Sequence, residues 1–403
     1  MPGQHRQLVL LFTPSVSLVH WQDSGMLGRE WAIYAKLLER PDYRRLIVVS
    51  YGDASDRAVL DSVLRPDDHA RVVLVCNDRR LSPEEFAASI PERVVAACEL
   101  APTIVKTNQM VANDLAVDVA AELRRAGLPT ALIARGGYWW SHFVSHASGE
   151  HSAAARDAVA RERRLCRAAH VVVGTTREMT DGLRDAHGLD AAAMRLIPNY
   201  VIVDSATSAV AREPGTVLYA GQLVKRKRVD VLIRCAAIFA KKCRLFQRLD
   251  VVGAGPEAAA LRTLATELDA PVRFEARLPH EELLRRMAGT SVYAQASELE
   301  GHPKTVIEAM ATGAAVVVAP SPGLGCVVEG GLTGVVAEAE PEAFADAIRG
   351  LLENECERIT MGERASAHAL SHFGLPAVLK LELEAHDQAM MRETHATTAC
   401  AAV

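Results

Sequence analysis

Twelve apolar runs recur along the chain, nearly all followed by a segment of helical period. The first six are QLVLLFTP, RLIVVSYG, ARVVLVCN, PTIVKTN, PTALIARG and HVVVGTT. The second six are TVLYAG, RLDVVGAG, PVRFEA, SVYAQAS, AAVVVAP and GVVAEA. Each is apolar throughout rather than at alternate positions. A strand with one face in water alternates, whereas a strand covered on both faces does not. Such runs predict parallel sheets between helix layers. Two successive arrays predict an α/β chain of two Rossmann-like, doubly wound domains. The least periodic stretch mid-chain is IPNYVIVDSATSAVAREPG (197–215), with Pro198 and Pro214 as breakers. The expected division is therefore a first domain over 1–205, a second over 206–375, a long helix over 376–392 and a disordered tail over 393–403.

Composition narrows the classes of function. Hydrophobic residues make up 49% and charged residues 24%, as in ordinary soluble chains. A net charge of -5 gives no whole-chain argument for nucleic acid. Eight cysteines form no CxxC pair, and Cys76, Cys235 and Cys326 sit in apolar runs, which suits a reducing cytoplasm. No segment reaches the ~18 apolar residues of a spanning helix. The run Leu8–Phe12 is too short for a signal-peptide core and no cleavage site follows it. It is expected to be the first strand, in a cytoplasmic protein.

One motif competes for the function. VVGAGPEAAAL (251–261) fits G-x-G-x-x-A through Gly253, Gly255 and Ala258, and Glu275 follows Gly255 by 20 residues. This is a dinucleotide fingerprint in form. It lies at the second strand of the second array, however, whereas the fingerprint belongs at the first. A tight strand-to-helix turn with close backbone approach is the plainer reading.

The most informative stretch is ELEGHPKTVIEAMATGAAVVV (298–318), which sets Glu300 and Glu308 eight residues apart. Pro303 suits a first helical turn and Gly313 a helix end, so a short helix is expected from Lys304 to about Thr312. Thr305, Glu308 and Thr312 then share one face. The amides of Lys304, Thr305 and Val306 would point out of the helix start, where partial positive charge suits phosphate oxygens. Glu308 can accept from a ribose diol and Glu300 from a second polyol. The pattern reads as a site for sugar, diphosphate and ribose in a row.

The same stretch closely resembles the E-G-x-P-x(4)-E-A-M-A-x-G signature of the retaining GT-B glycosyltransferases of family 4 type. VLYAGQLVKRKRVDVLI (217–233) resembles that family's strand, G-R-L turn and K-G-V-D helix start. VVGAGP, VRFEARLPHEEL, IPNYV and GLTGVVAE fall in the family's order. The resemblance covers the second array throughout, and the first mostly in layout. It implies two domains facing a cleft, with the final helix returning to the first. Glu308 would hold the ribose and Glu300 the donor sugar, beside the backbone of Gly301, His302 and Pro303. Lys227 would neutralise the diphosphate, while the family's partner arginine is replaced by Gln222, which is uncharged. Gly253, Gly255 and Arg277 would line the nucleotide. The acceptor-side loop would be DSGMLGREW (23–31), with Gly25 and Gly28 approaching the phosphates, although a plain helix start accounts for it equally. Arg135 stands where the family often has a histidine. It could bind phosphate or an acidic acceptor but cannot serve as a base at neutral pH.

Other features have plainer readings. His142 and His146, with Glu150 and His151, have conceivable zinc spacing, but Gly149 and the polar run favour a loop. The basic run Lys225–Arg228 fits a phosphate-facing turn without nucleic acid. Arg156, Arg163, Arg164 and Arg167 project from one helical face, which suits solvent or, at the inner face of a membrane, anionic lipid headgroups. Glu162 falls on the apolar side of that helix and should be hydrogen-bonded.

The expected function is transfer of a sugar, with retention, from a nucleoside-diphosphate sugar to an acceptor hydroxyl of a glycan, lipid-linked or small molecule. Neither cofactor nor metal is expected, because Lys227 and a helix start would supply the charge. No paired carboxylates at nucleophile and acid positions suggest a double-displacement hydrolase. The alternatives are a nucleotide-sugar epimerase of the same fold and a non-catalytic nucleotide-sugar-binding subunit.

Overall fold

The computed structural model describes residues 5–204 and 210–401. They form two compact units, Met1–Ile197 with Leu379–Val403, and Pro198–Val378. The boundary expected at 205/206 lies outside the described residues. No helix among them is long and apolar enough to cross a membrane.

The first unit holds a parallel sheet of β1 (Arg6–Leu11), β2 (Tyr43–Val49), β3 (Val72–Val75), β4 (Thr103–Thr107), β5 (Thr130–Arg135), β6 (Val171–Gly174) and β7 (Met194–Leu196). Their spatial order is β3-β2-β1-β4-β5-β6-β7. Val9, Leu10 and Leu11 of the central strand are fully buried, as its unbroken apolar run requires. The unpredicted strand is β7. It has three residues at the sheet edge, of which Met194 is buried and Leu196 exposed, so no apolar run announces it.

The second unit holds β8 (Glu213–Ala220), β9 (Arg248–Val252), β10 (Val272–Glu275), β11 (Thr290–Gln295), β12 (Ala315–Val318) and β13 (Val335–Val336). They are parallel in the order β10-β9-β8-β11-β12-β13. All six coincide with predicted runs. The strand order reverses at β1/β4 in one unit and at β8/β11 in the other. In open parallel sheets ligands bind at the carboxyl ends of strands at such points.

The last helix, Leu375–Ala401, begins in the second unit, and from Leu379 onward it belongs to the first. The return of this helix was expected, but the disordered tail was not found over 393–401, which are helical. Buried Glu393 explains the extension. Its carboxylate lies 3.0 Å from His170 Nε2 and 3.4 Å from the Thr130 amide, so the helix gains contacts where fraying was expected.

A buried charge cluster fixes this helix to the first sheet. Glu382 accepts from Lys106 Nζ of β4 at 2.6 Å and from Arg135 Nε of β5 at 3.1 Å. Lys106 and Glu382 are almost fully buried. One turn on, Tyr43 of β2 bonds His386 Nδ1 at 2.6 Å. Burial would raise the Glu382 pKa, but the two cations outweigh it and bring it from 4.5 down to about 2. Burial, aided by the Lys106 charge, lowers His386 from 6.5 to about 3. A second buried carboxylate, Glu162, joins three helices of the same unit. It accepts from the Ser141 hydroxyl (2.6 Å) and amide (3.1 Å) and meets His187 Nε2 at 2.9 Å, as its place on an apolar face required.

Removing Glu382 strands two cations in low dielectric. Glu382→Gln should destabilise the first unit by about 3–5 kcal/mol. Scanning calorimetry should show its transition lowered by roughly 6–20 °C. Both groups bind protons less readily folded than unfolded. Wild-type stability should therefore fall with pH, first between 6.5 and about 3 through His386, then between 4.5 and about 2 through Glu382. An unchanged transition in Glu382→Gln would contradict the pinning role.

Candidate functional site

The loops that leave β8 and β11 are neighbours because those strands pair, with Val217 opposite Val292 and Leu218 opposite Tyr293. A backbone bond links them again beyond the sheet, from the Glu298 amide to the Arg226 carbonyl at 2.8 Å. Lys227 and Glu300, 73 residues apart, thereby meet in a direct ion pair between Nζ and Oε1. Glu300 also accepts from Gln295 Nε2 at 2.7 Å and lies 3.3 Å from Arg226 Nη1. Burial alone would raise its pKa, yet Lys227 and then Arg226 hold it below the ordinary carboxylate range. Burial likewise draws the Lys227 ammonium below its usual value, against the pull of Glu300. The buried Tyr293 hydroxyl supports the group from below, 3.0 Å from Gln295 Oε1 and 3.1 Å from the Ala220 carbonyl.

The Gly-x-Pro turn is held from its other side. The Glu300 amide bonds the Pro322 carbonyl at 3.1 Å. Gly323, at φ +83°, lies so close that a Cβ there would fall 2.1 Å from the Gly301 carbonyl oxygen. The His302 carbonyl accepts from Asn199 Nδ2 at 3.0 Å, and its ring meets Phe373 edge-on at 5.1 Å. Pro303 stands directly before the helix Lys304–Ala311, which starts where expected, and is its N-cap residue. Its carbonyl accepts from both Val306 and Ile307 (3.1 and 3.2 Å). The Val306 amide is thus not among the outward donors expected, because the first turn closes upon Pro303. Lys304 and Thr305 stand at the helix start, and the Thr305 hydroxyl lies 3.3 Å from Gln295 Oε1.

Glu308 is almost fully buried on this helix, with Thr305 one turn before it and Thr312 one turn after. Its Oε1 meets His280 Nε2 at 3.0 Å. His280 opens the helix that follows β10. Sequence reasoning missed it, since only the quoted run LPHEEL points there, and nothing in that run names Glu308.

The two motif glycines have a packing reason. Gly253 has φ +152°, and a Cβ on it would fall 1.9 Å from the Gly221 carbonyl oxygen. A Cβ on Gly255 would fall 2.3 Å from the Leu223 carbonyl oxygen. The turns after β8 and β9 interlock there, through bonds from Leu223 to Ala254 and from Glu257 to Leu223, each 3.0 Å. The acidic residue of the fingerprint, Glu275, is paired with Arg273 and Arg286 at 2.9 and 3.1 Å. The plainer reading of this motif therefore fits better than a dinucleotide site. Gln222 has its carbonyl bonded by the Tyr219 hydroxyl at 2.9 Å, and the residue is exposed. Arg277, beyond β10, is also exposed.

The remaining candidates lie in the first unit. Arg135 sits at the end of β5 with its guanidinium on Glu382, so the structure gives it an architectural task. Gly25 takes φ +70° between the helices Leu18–Asp23 and Leu27–Leu38, and Gly28 lies in the first turn of the latter, which is the plain helix start. His142 stacks on Trp139, and among the described residues no three His, Cys, Asp or Glu side chains gather as metal ligands. The arginine face of the helix Ala153–Ala168 is partly spent within the unit. Arg164 pairs with Asp114 and Asp118 (2.9 and 2.6 Å), and Arg167 bonds the His187 carbonyl (3.0 Å). A lipid-docking surface would need those charges outward.

Residues 204–368 match the family model of glycosyl transferases group 1. D-inositol 3-phosphate glycosyltransferase of Corynebacterium jeikeium is 30% identical over 57% of this chain and 62% of its own. The corresponding protein of Corynebacterium aurimucosum is 34% identical over 41% of each. The chain thus spans less than two thirds of these curated relatives. Among solved structures, Anabaena Alr3699/HepE with UDP and glucose aligns over 94% of this chain and 99% of its own, with TM-score 0.69 and 18% identity. Sucrose-phosphate synthase of Thermosynechococcus elongatus aligns over 95% and 99%, with TM-score 0.69 and 19% identity. The chain has the GT-B fold, and residues 204–368, within its second unit, are similar to the glycosyl transferases of group 1.

Proposed function

We propose that the protein is a glycosyltransferase that moves a sugar from a nucleoside-diphosphate sugar to an acceptor hydroxyl with retention. The observation that carries this reading is the meeting of Lys227 and Glu300 at the β8/β11 switch point, beside the start of the helix that bears Glu308. A diphosphate competing for the Lys227 ammonium would turn Glu300 toward the hydroxyls of the sugar. Lys227 and the helix start would then stabilise the charge that grows on the leaving diphosphate. Glu308, held by His280, would take the ribose diol. Bonds to ionised acceptors of this kind are each worth about 1.5–3 kcal/mol. This chemistry needs no metal when those groups carry the charge.

The comparisons support the same reading. The matched relatives are named D-inositol 3-phosphate glycosyltransferases, and similar folds have been solved with UDP or UDP-glucose. A uridine nucleotide sugar is therefore the first donor to test, and a phosphorylated polyol the first acceptor. Work at the cytoplasmic side of a membrane belongs to the proposal only where the acceptor is lipid-linked.

The two glutamates are distinguishable. Glu308→Gln should weaken both UDP and the full donor by about 1.5–3 kcal/mol. Glu300→Gln should bind UDP as well as the wild type or better, because no carboxylate then competes for Lys227, and should lose turnover with the full donor. Calorimetry with UDP on both variants decides between these roles, and the reverse pattern would exchange the assignments.

His280 generates a second expectation. His280→Ala should weaken UDP by about 0.5–1.5 kcal/mol, the worth of one hydrogen bond. It should weaken 2′,3′-dideoxy-UDP less, because that nucleotide has no diol for Glu308. Equal losses for both nucleotides would show that His280 acts on the fold and not on the ribose contact.

A further inference from the structure

The basic turn after β8 sends its side chains in different directions. Arg228 reaches Glu298 at 3.1 Å and Asp230 at 3.4 Å. Lys225 is exposed. Arg226 and Lys227 both converge on Glu300, Arg226 through Nη1 at 3.3 Å from Oε2 and 2.8 Å from the Leu299 carbonyl. Two cations thus meet one carboxylate. Glu300 is 7% exposed, Lys227 12% and Arg226 29%, so two cations converge on one carboxylate where water is partly excluded. A carboxylate that only needed a partner would be satisfied by Lys227 alone.

A diphosphate fits two converging cations. It spreads several negative charges over oxygens that a planar guanidinium can grip in pairs. The neutral amide of Gln222 cannot provide this, and Gln222 is exposed on the same turn. Arg226 is held in place by the Glu298-to-Arg226 backbone bond, which belongs to the loop that presents Glu300.

We propose that Arg226 is the second cation of the diphosphate site and substitutes for the charge absent at Gln222. The inference rests on the donor-site reading above. When Arg226 and Lys227 turn to the diphosphate, Glu300 loses both partners and becomes available to the sugar. One exchange of ion pairs would couple grip on the leaving group to orientation of the sugar.

The test is calorimetric titration of the full chain with UDP and with UMP, which lacks the second phosphate. Arg226→Gln should weaken UDP roughly 10- to 100-fold, the worth of a charged hydrogen bond. UMP should weaken by less than about threefold, within the range of a minor contact. Arg349→Gln, which removes a charge paired locally with Asp346 on the helix Pro341–Glu353, should leave UDP binding as in the wild type. Arg226→Lys keeps the charge but not the paired grip of a guanidinium, so it should weaken UDP more than UMP; if the glutamine variant does not fold, this variant decides, and equal losses for UDP and UMP overturn the proposal. UDP affinity unchanged in folded Arg226→Gln, or UDP and UMP weakened alike, would make Arg226 a strut for the loop and overturn it. Failure of the wild type to bind UDP would instead strike the donor-site reading, and this inference with it.

Discussion

Lys227 and Glu300 can pair only because β8 and β11 are neighbours in a parallel sheet. Parallel strands release their following loops at the same edge, and at a reversal of strand order two such loops diverge around an opening. The rest of the second unit serves that geometry. Tyr219 and Tyr293 support the two loops from the sheet, and the 321–323 turn presses upon the Glu300–Gly301 backbone. Gly253 and Gly255 let the next turn interlock with the first. A buried ion pair is a weak source of net stability, since desolvation offsets much of its attraction. Its place at a ligand-binding edge is better explained by exchange, one ion partner for another, than by a contribution to folding.

The first unit shows the contrasting use of buried charge. Glu382 is fully buried with two cations, and its task is to hold a helix to strands that lie far from it in sequence. The apolar residues around it cannot specify how that helix sits, because hydrophobic contact is non-directional. A carboxylate shared by Lys106 and Arg135 has one satisfactory place. Arg135 is thereby engaged in architecture, although its position at a strand end resembles that of a functional group.

Much of the fold was legible because burial on both faces of a strand leaves an unbroken apolar run. Most strands of both sheets carry such a run, although the edge strand β10 reads Val-Arg-Phe-Glu with Arg273 exposed. The short edge strand β7 does not, and neither did the helical turns after Arg392, whose stability comes from Glu393 contacting His170. Glu300, Glu308 and Lys227 were legible as a motif with chemical sense. His280 and Arg226 were not, because their meaning lies in contacts across 28 and 74 residues. The amide of Val306 illustrates a finer limit. A helix start read from sequence offers several donors, but how the first turn closes decides which of them point outward.

The most direct measurement is a calorimetric titration of the full chain with UDP and, separately, with uridine. If Lys227 and its neighbours form a diphosphate site, UDP should bind at one site at least roughly 100-fold more tightly than uridine, as two charge-assisted contacts would require. That advantage should shrink as salt is raised. Equal affinity for uridine and UDP, or no binding of UDP, would contradict the assignment of this site.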